Sequence, residues 1–428
     1  MNKLIYLALA AACFSMAGCS NDDAPNVDRT TDDDWISEDG RVVIQLGGLD
    51  GANASSAITR SPILDNGSNF FYTSPTPEGT YNTMGIYVLA PQGDWSTGGN
   101  EAMLLNNIEG IGINSSKTTA FGAINDDVKK ISLRTVNETK WGGVYYYPMV
   151  SKYNYTFYGY APYQSDDNNK VTPTKHQITF NNFDGSQDIM YATAIAPTVS
   201  TGAIWINSSY EENPTNLNGY NAKYIRQLKY HKELNDAATE AGKVQKEGNH
   251  PWVPNLEFTH KLTWLKFAVV AAREQSIADK NAATELKVKN IKILNHGNTA
   301  TLDILTGALS FSGTETLSMK KYEDGEYTDA DATGEYNPEA TESTVRGYLL
   351  VNPSATYKVQ LTVVPKPNEA GVTPPEQTFD VELKLSDGSF QPGKSYLIKL
   401  GIYAMQEVEA TASVIAWGDD TIVEFPVE

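Results

Sequence analysis

Tyr357-Lys358-Val359-Gln360-Leu361-Thr362-Val363 decides the fold class. Apolar and polar residues alternate along it. A period of two places each set on its own face of an extended strand, so one face seeks a core and the other meets water. The pattern recurs on both sides. Downstream, Val381, Leu383 and Leu385 alternate with Glu382 and Lys384, and Tyr396, Ile398, Leu400 and Ile402 follow the turn signal Pro392-Gly393. Upstream, Leu265, Phe267 and Val269 alternate with Lys266 and Ala268. Leu286 to Leu294 and Ala300 to Phe311 come next, joined by Asn295-His296-Gly297-Asn298, which reads as a hairpin turn. Alternating strands with turn residues between them predict a mainly β chain built on β-sandwiches.

The first half carries shorter strand-like runs. They are Met84 to Leu89, Thr156 to Ala161, Gln177 to Phe180 and Ile189 to Ala192, bounded by Gly, Pro, Asn and Asp. The earliest is Arg41-Val42-Val43-Ile44-Gln45-Leu46, ended by Gly47-Gly48 and followed by a small-residue loop, Gly51 to Ala57. Between the halves, Tyr220 to Glu247 is rich in Lys, Glu, Ala and Gln and has no proline. This predicts a helix over 222–242 with a thin apolar stripe, hence a small surface insertion. The expected organisation is an N-terminal β-sandwich over 61–200 that borrows a first strand from 41–49. A charged, partly helical segment over 201–254 follows, then a C-terminal β-sandwich over 255–428.

The N-terminus has its own logic. Lys3 precedes an apolar run, Leu4 to Ala17, and then Met16-Ala17-Gly18-Cys19 gives way to Ser20-Asn21-Asp22-Asp23. That is the layout of a bacterial lipoprotein signal peptide over 1–18. Cys19 is the expected lipidation site, its thiol taking a diacylglycerol and its freed amine a third acyl chain such as palmitate. The apolar run is shorter than the ~20 residues that a bilayer core requires of a helix. Residues 20–40 read as an acidic tether, so 19–60 is a tether plus first strand.

Composition excludes several functions. The 428 residues hold 33 Lys+Arg against 52 Asp+Glu, a net charge of −19, which argues against nucleic acid as a partner. The only cysteines are Cys13 and Cys19, one inside the signal and one acylated, so no disulfide is expected. His176, His231, His250, His260 and His296 form no metal-binding spacing, and the chain has no GxSxG, P-loop or GxGxxG after a strand. We therefore expect no enzyme, no cofactor, no metal and no catalytic residue. The acidic stretches Glu323-Asp324-Gly325-Glu326 and Asp329-Ala330-Asp331 read as solvated loops. Trp95, Trp141 and Tyr145-Tyr146-Tyr147 are the candidates for a sugar-stacking platform, although alternation sends at least one of the tyrosines inward.

Several pieces together resemble the fimbrillin family, the lipoprotein-derived subunits of Bacteroides-type fimbriae (type V pili). They are, in order, the Cys19 lipobox, the Val42 to Leu46 strand, Ile58-Thr59-Arg60 and Asp188-Ile189-Met190-Tyr191-Ala192. Phe258-Thr259-His260-Lys261-Leu262, Phe390-Gln391-Pro392-Gly393-Lys394-Ser395-Tyr396 and Ala416-Trp417-Gly418-Asp419 complete the series. The resemblance implies two tandem transthyretin-like β-sandwich domains and a structural, adhesive role in a surface fimbrium. It implies a precursor tied to the cell outer membrane by lipid and cut by an arginine-specific protease, here between Arg60 and Ser61. Arg29 and Arg41 are rival sites; Arg60 is preferred because it follows a strand in a small-residue loop. Loss of the first strand would open an apolar groove for the C-terminal strand of another subunit, giving a homopolymer by donor-strand exchange.

The tail suits that role. Glu407 to Ala416 and Thr421 to Val427 are the candidate donor strands, and in the second Val423, Phe425 and Val427 alternate with Glu424, Pro426 and Glu428. Burying three such side chains contributes about 5–9 kcal/mol before ordering costs. The alternative readings are a glycan-binding surface lipoprotein, with a host or bacterial surface ligand, or a tip or anchor accessory subunit of the fimbrium.

Overall fold

The computed structural model describes residues 36–50, 71–72, 83–95, 101–115, 128–135, 142–149, 153–195, 220–226, 253–271 and 283–415, apart from short gaps within these ranges. In the first half the strands are β1 (Gly47–Asp50), β2 (Phe71–Tyr72), β3 (Met84–Leu89), β4 (Met103–Ser115), β5 (Val128–Leu133), β6 (Thr156–Ala161), β7 (Gln177–Phe180) and β8 (Met190–Ala194). After the central segment come β9 (Asn255–His260), β10 (Thr263–Ala271), β11 (Lys287–His296), β12 (Thr299–Asp303), β13 (Leu309–Ser312), β14 (Glu315–Ser318) and β15 (Lys320–Glu323). The last are β16 (Glu326–Asp331), β17 (Val345–Val351), β18 (Thr356–Val364), β19 (Gln377–Lys384), β20 (Ser395–Tyr403) and β21 (Glu407–Ile415). The chain is mainly β, as the alternation requires.

The first sheet runs β2-β4-β3-β6-β8-β9-β1-β5, and β5 also pairs with β4. The ladder therefore closes on itself, with the 13-residue β4 bonding β3 through its first part and β5 through its last. The interior is aromatic and aliphatic: Ile86, Val88, Tyr147, Tyr155 and Phe157 are all buried. Tyr147 lies 6.0 Å from Tyr155 and meets Phe157 edge-on at 6.4 Å, the tilted geometry that ring quadrupoles favour.

The second half has a six-stranded sheet, β16-β15-β17-β10-β20-β21, and a four-stranded one, β14-β11-β18-β19. They pack through rings that link them: Tyr357 of β18 lies 4.9 Å from Phe390, and Phe390 lies 4.8 Å from Tyr396 of β20. The strand with the clearest alternation, β18, has Tyr357, Val359, Leu361 and Val363 in this core. A third sheet, β13-β12-β7, joins a strand of the first half to two of the second.

Three sequence expectations change here. Asn295-His296-Gly297-Asn298 is not a hairpin turn. β11 pairs with β14 and β18, whereas β12 pairs with β13 and β7, so the stretch carries the chain between sheets. The cause is His296, which is buried and stacked on Phe183 at 5.6 Å instead of standing at an exposed tip. Second, the first regular strand is Gly47–Asp50, not Arg41 to Leu46. Gly47-Gly48 does not end the segment, because a side chain at Gly47 would run into the Asn255 carboxamide. Glycine there permits close strand approach. Third, the described residues 220–226 of the central segment are not a surface insertion. Tyr220, Ala222 and Ile225 are buried, and Tyr220 meets Phe157 edge-on at 5.3 Å. The remainder of the expected helix over 222–242 lies outside the described residues.

Candidate functional site

Residues 36–50 occupy a slot in the first sheet. The segment enters through a turn in which Gly40 N–H donates to Ser37 O at 2.8 Å and Gly40 takes a positive φ of 79°. Val42, Ile44 and Leu46 then point inward with relative exposures of 0%, 6% and 4%, while Val43 and Gln45 are half-buried. On one side, Ile44 N donates to Tyr145 O at 2.8 Å, Tyr147 N to Val42 O at 2.9 Å, and Ile131 N to Leu46 O at 2.9 Å. On the other, β1 runs parallel to β9, with Gly47 to Asp50 opposite Asn255 to Phe258. Neighbouring chain thus holds one edge of the segment along 42–46 and the opposite edge along Gly47–Asp50, and its three apolar side chains complete a row of the core. That row contributes about 5–9 kcal/mol by transfer bookkeeping.

Arg41 stands at the slot's mouth. Its Nε lies 2.5 Å from Asp39 Oδ2, and its guanidinium sits 4.1 Å above the Tyr146 ring. Its carbonyl accepts from the Ser37 amide at 2.8 Å and the Ser37 hydroxyl at 3.0 Å. The Ser37 hydroxyl bonded to Asp39, with Arg41 alongside, holds the Asp39 carboxyl below its ordinary range.

The far wall of the slot, β9, ends in a buried pair. His260 Nδ1 donates to Asp188 Oδ2 at 2.7 Å, with side-chain exposures of 6% and 2%. Three stretches that look unrelated in sequence meet here. Lys261 N donates to Ile189 O at 2.9 Å, Gly393 N to Leu262 O at 2.8 Å, Trp264 N to Lys394 O at 3.0 Å, and the Thr263 hydroxyl to Gln391 O at 2.9 Å. Asp188–Ile189, Phe258–Leu262 and Phe390–Tyr396 are therefore one structural junction, where the chain passes from the first sheet to the six-stranded one. The boundary expected at residue 255 falls at the start of β9, which bonds within the first sheet.

Several sequence-selected residues are placed elsewhere. Cys19, Arg60, Ser61, Trp141, Val423, Phe425 and Val427 lie outside the described residues. Trp95 is 9% exposed and its Nε1 donates to Ala90 O at 3.0 Å, so it is a core residue and not a sugar platform. Tyr147 is buried, Tyr145 donates its hydroxyl to Arg134 O at 2.7 Å, and Tyr146 is taken by Arg41. Asp331 binds Lys320 at 3.0 Å from within β16, so this acidic stretch is strand and not solvated loop. Among the described residues no group of three or more His, Cys, Asp or Glu could hold a metal ion. Among them, too, no helix is long and apolar enough to cross a membrane. Sequence reading missed Asp188 as the partner of His260. Strand alternation shows which face a residue takes but not which strand lies beside it.

Residues 237–417 match a family model described as fimbrillin-like, which bears out the resemblance. Similar solved structures include a fimbrial protein from Bacteroides vulgatus, at 13% identity and TM-score 0.39 over 88% of this chain and 99% of that one. They also include a fimbrilin from Porphyromonas gingivalis, at 12% identity and TM-score 0.39 over 88% and 97%. The fimbrial anchor protein Mfa2 of the same species aligns at 11% identity and TM-score 0.34 over 88% and 97%. No curated protein sequence matches the chain significantly.

Proposed function

With a fimbrillin-like region as its premise, we propose that this protein is a structural subunit of surface fimbriae. In this reading it is exported as a lipoprotein acylated on Cys19 and displayed at the cell outer membrane. Cleavage between Arg60 and Ser61 then removes the first strand, and strand exchange with other copies builds the fimbrium. Its two halves act as tandem transthyretin-like sandwiches.

The slot is the observation that carries this reading. A segment near the N-terminus completes the core with Val42, Ile44 and Leu46, yet it is joined to the rest of the fold through residues 51–70, where Arg60 stands. Its departure would leave an apolar row beside the edge of 145–147 and Ile131, and the unpaired edge of β9 where Gly47 to Asp50 lay. A strand that alternates like Val423, Phe425 and Val427 supplies three apolar side chains of the same period and backbone groups for both edges.

Incubating purified precursor with an arginine-specific protease tests the proposal. We expect a new N-terminus at Ser61 and a ladder of oligomers that persists in SDS without heating. Monomers that keep residues 36–50 bound after complete cleavage would rule strand exchange out. The anchor reading differs in keeping both lipid and first strand. The glycan-binding reading loses its main described platform, since Trp95 is buried.

A further inference from the structure

Removing a strand from a closed ladder leaves its neighbour exposed. β9 is that neighbour, and among the described residues its ladder pairings are lopsided, although its packing against β8 is extensive. It pairs with β1 at four positions, Asn255 to Phe258, but with β8 at only two, Met190 with His260 and Tyr191 with Thr259. Without β1, four of its six registered ladder positions among the described residues are lost. A wall that loosened then would collapse into the slot or swing away, and either event would close the site to an incoming strand.

The other contacts of β9 concentrate at its C-terminal end. His260 is bonded to Asp188, the Thr259 hydroxyl donates to Tyr191 O at 3.2 Å, and Lys261 N reaches Ile189 O. The second carboxylate oxygen of Asp188 is buried with no hydrogen-bond partner, so His260 is the partner this acid relies on. Moving His260 away would strand a buried carboxylate, which is far more costly than losing an exposed bond. One further seat lies on the sheet face. A side chain at Gly159 would collide with the Phe258 ring, so glycine there lets Phe258 settle directly on β6.

We infer that Asp188 and His260 are positioning residues which keep β9 docked on β8 while the slot is empty. They hold the acceptor open for the next copy of this chain. The inference rests on the strand-exchange reading above. The pair touches no incoming strand; it acts through β9. In the uncut protein β1 covers β9 as well, so the pair matters most after cleavage.

The test compares wild type, Asp188→Ala and Asp188→Asn in the full-length precursor, before and after cutting with an arginine-specific protease. Asn keeps an oxygen that accepts from His260. Amide hydrogen exchange across 255–261 is read together with oligomer yield. Before cutting, the three proteins should protect this stretch alike. After cutting, Asp188→Ala should lose protection at least tenfold and assemble at least tenfold more slowly, with Asp188→Asn close to wild type. Equal protection and assembly in all three after cutting would overturn the inference. If Asp188→Ala does not fold, His260→Gln enters the same comparison. Failure of wild type to assemble would count against strand exchange itself, whereas exchange in the cut monomer would still report on the pair.

Discussion

Arg41 and Arg60 are alike in sequence: each follows or opens a strand-like run. The structure shows what surrounds Arg41; Arg60 lies outside the described residues. Proteases bind their substrates in extended form over several residues, which an exposed loop offers and a hydrogen-bonded segment does not. Arg41 is tied to Asp39, covers Tyr146, and is followed at once by buried Val42. We therefore predict that an arginine-specific protease leaves the Arg41–Val42 bond of the folded precursor intact. N-terminal sequencing of the products checks this; a major product starting at Val42 would contradict it.

His296 makes a second prediction at this scale. Burial pushes its pKa below the ordinary histidine value, against a smaller opposing effect from the Gly297 carbonyl. Its Nε2 accepts from Asn352 N at 2.9 Å, which needs the neutral ring. The unfolded chain binds that proton more readily, so stability is full above pH ~6.5 and declines as pH falls below it. Thermal melts at pH 7.5 and 5.5 should show a fall in Tm that is smaller in His296→Gln, whatever that variant's starting stability. An equal fall in both would exclude His296 as a contributor.

Among the elements, alternation was legible and partnership was not. β18 and β20 lie where Tyr357 to Val363 and Tyr396 to Ile402 indicated; β18 buries mainly one face, whereas β20 is buried on both along most of its length. β3, β6 and β7 also match their expected runs, bounded by turn residues. The first strand and the Asn295–Asn298 connection were misread for a common reason. Both depend on contacts across sheets, Gly47 against Asn255 and His296 against Phe183, which leave no periodic trace in sequence. The slot itself was half legible: Val42, Ile44 and Leu46 alternate visibly, but nothing local reveals that the 145–147 stretch and Ile131 flank them, or that β9 pairs with Gly47 to Asp50 beyond. Ile44→Ala in this element should cost the uncut precursor about 2–5 kcal/mol by leaving a cavity. Once cut and assembled, the same variant should match wild type in denaturant midpoint, because the segment has gone. A persistent difference after assembly would mean the segment stays.

Across the whole molecule, the two halves are joined by more than chain continuity. β7 pairs with β12, Leu350 N donates to Gly185 O at 2.9 Å, and Lys320 links Asp184 at 2.6 Å to Asp331 at 3.0 Å. Burial opposes both charges here, but the bonds outweigh it: Asp184 is held below its ordinary pKa and Lys320 above its own. The depressed acid stabilises the fold above pH ~4 and stops doing so as pH falls through its folded value. The raised lysine does so below pH ~10.5 and stops as pH rises through its folded value. The link should thus be constant from pH 5 to 9. Because both carboxylates are about half exposed, Lys320→Met should lower stability by about 1–2 kcal/mol across that window. Urea midpoints at several pH values measure it, and a loss confined to one end of the window would contradict the assignment.

The central claim is that residues 36–50 are a temporary occupant of the slot and that a strand from another copy replaces them. The N-terminal residue of the protein recovered from assembled fimbriae on intact cells tests it most directly. The account predicts Ser61, with Cys19, its lipid and the first strand absent. A lipidated Cys19 on the assembled protein, with residues 36–50 still attached, would contradict it.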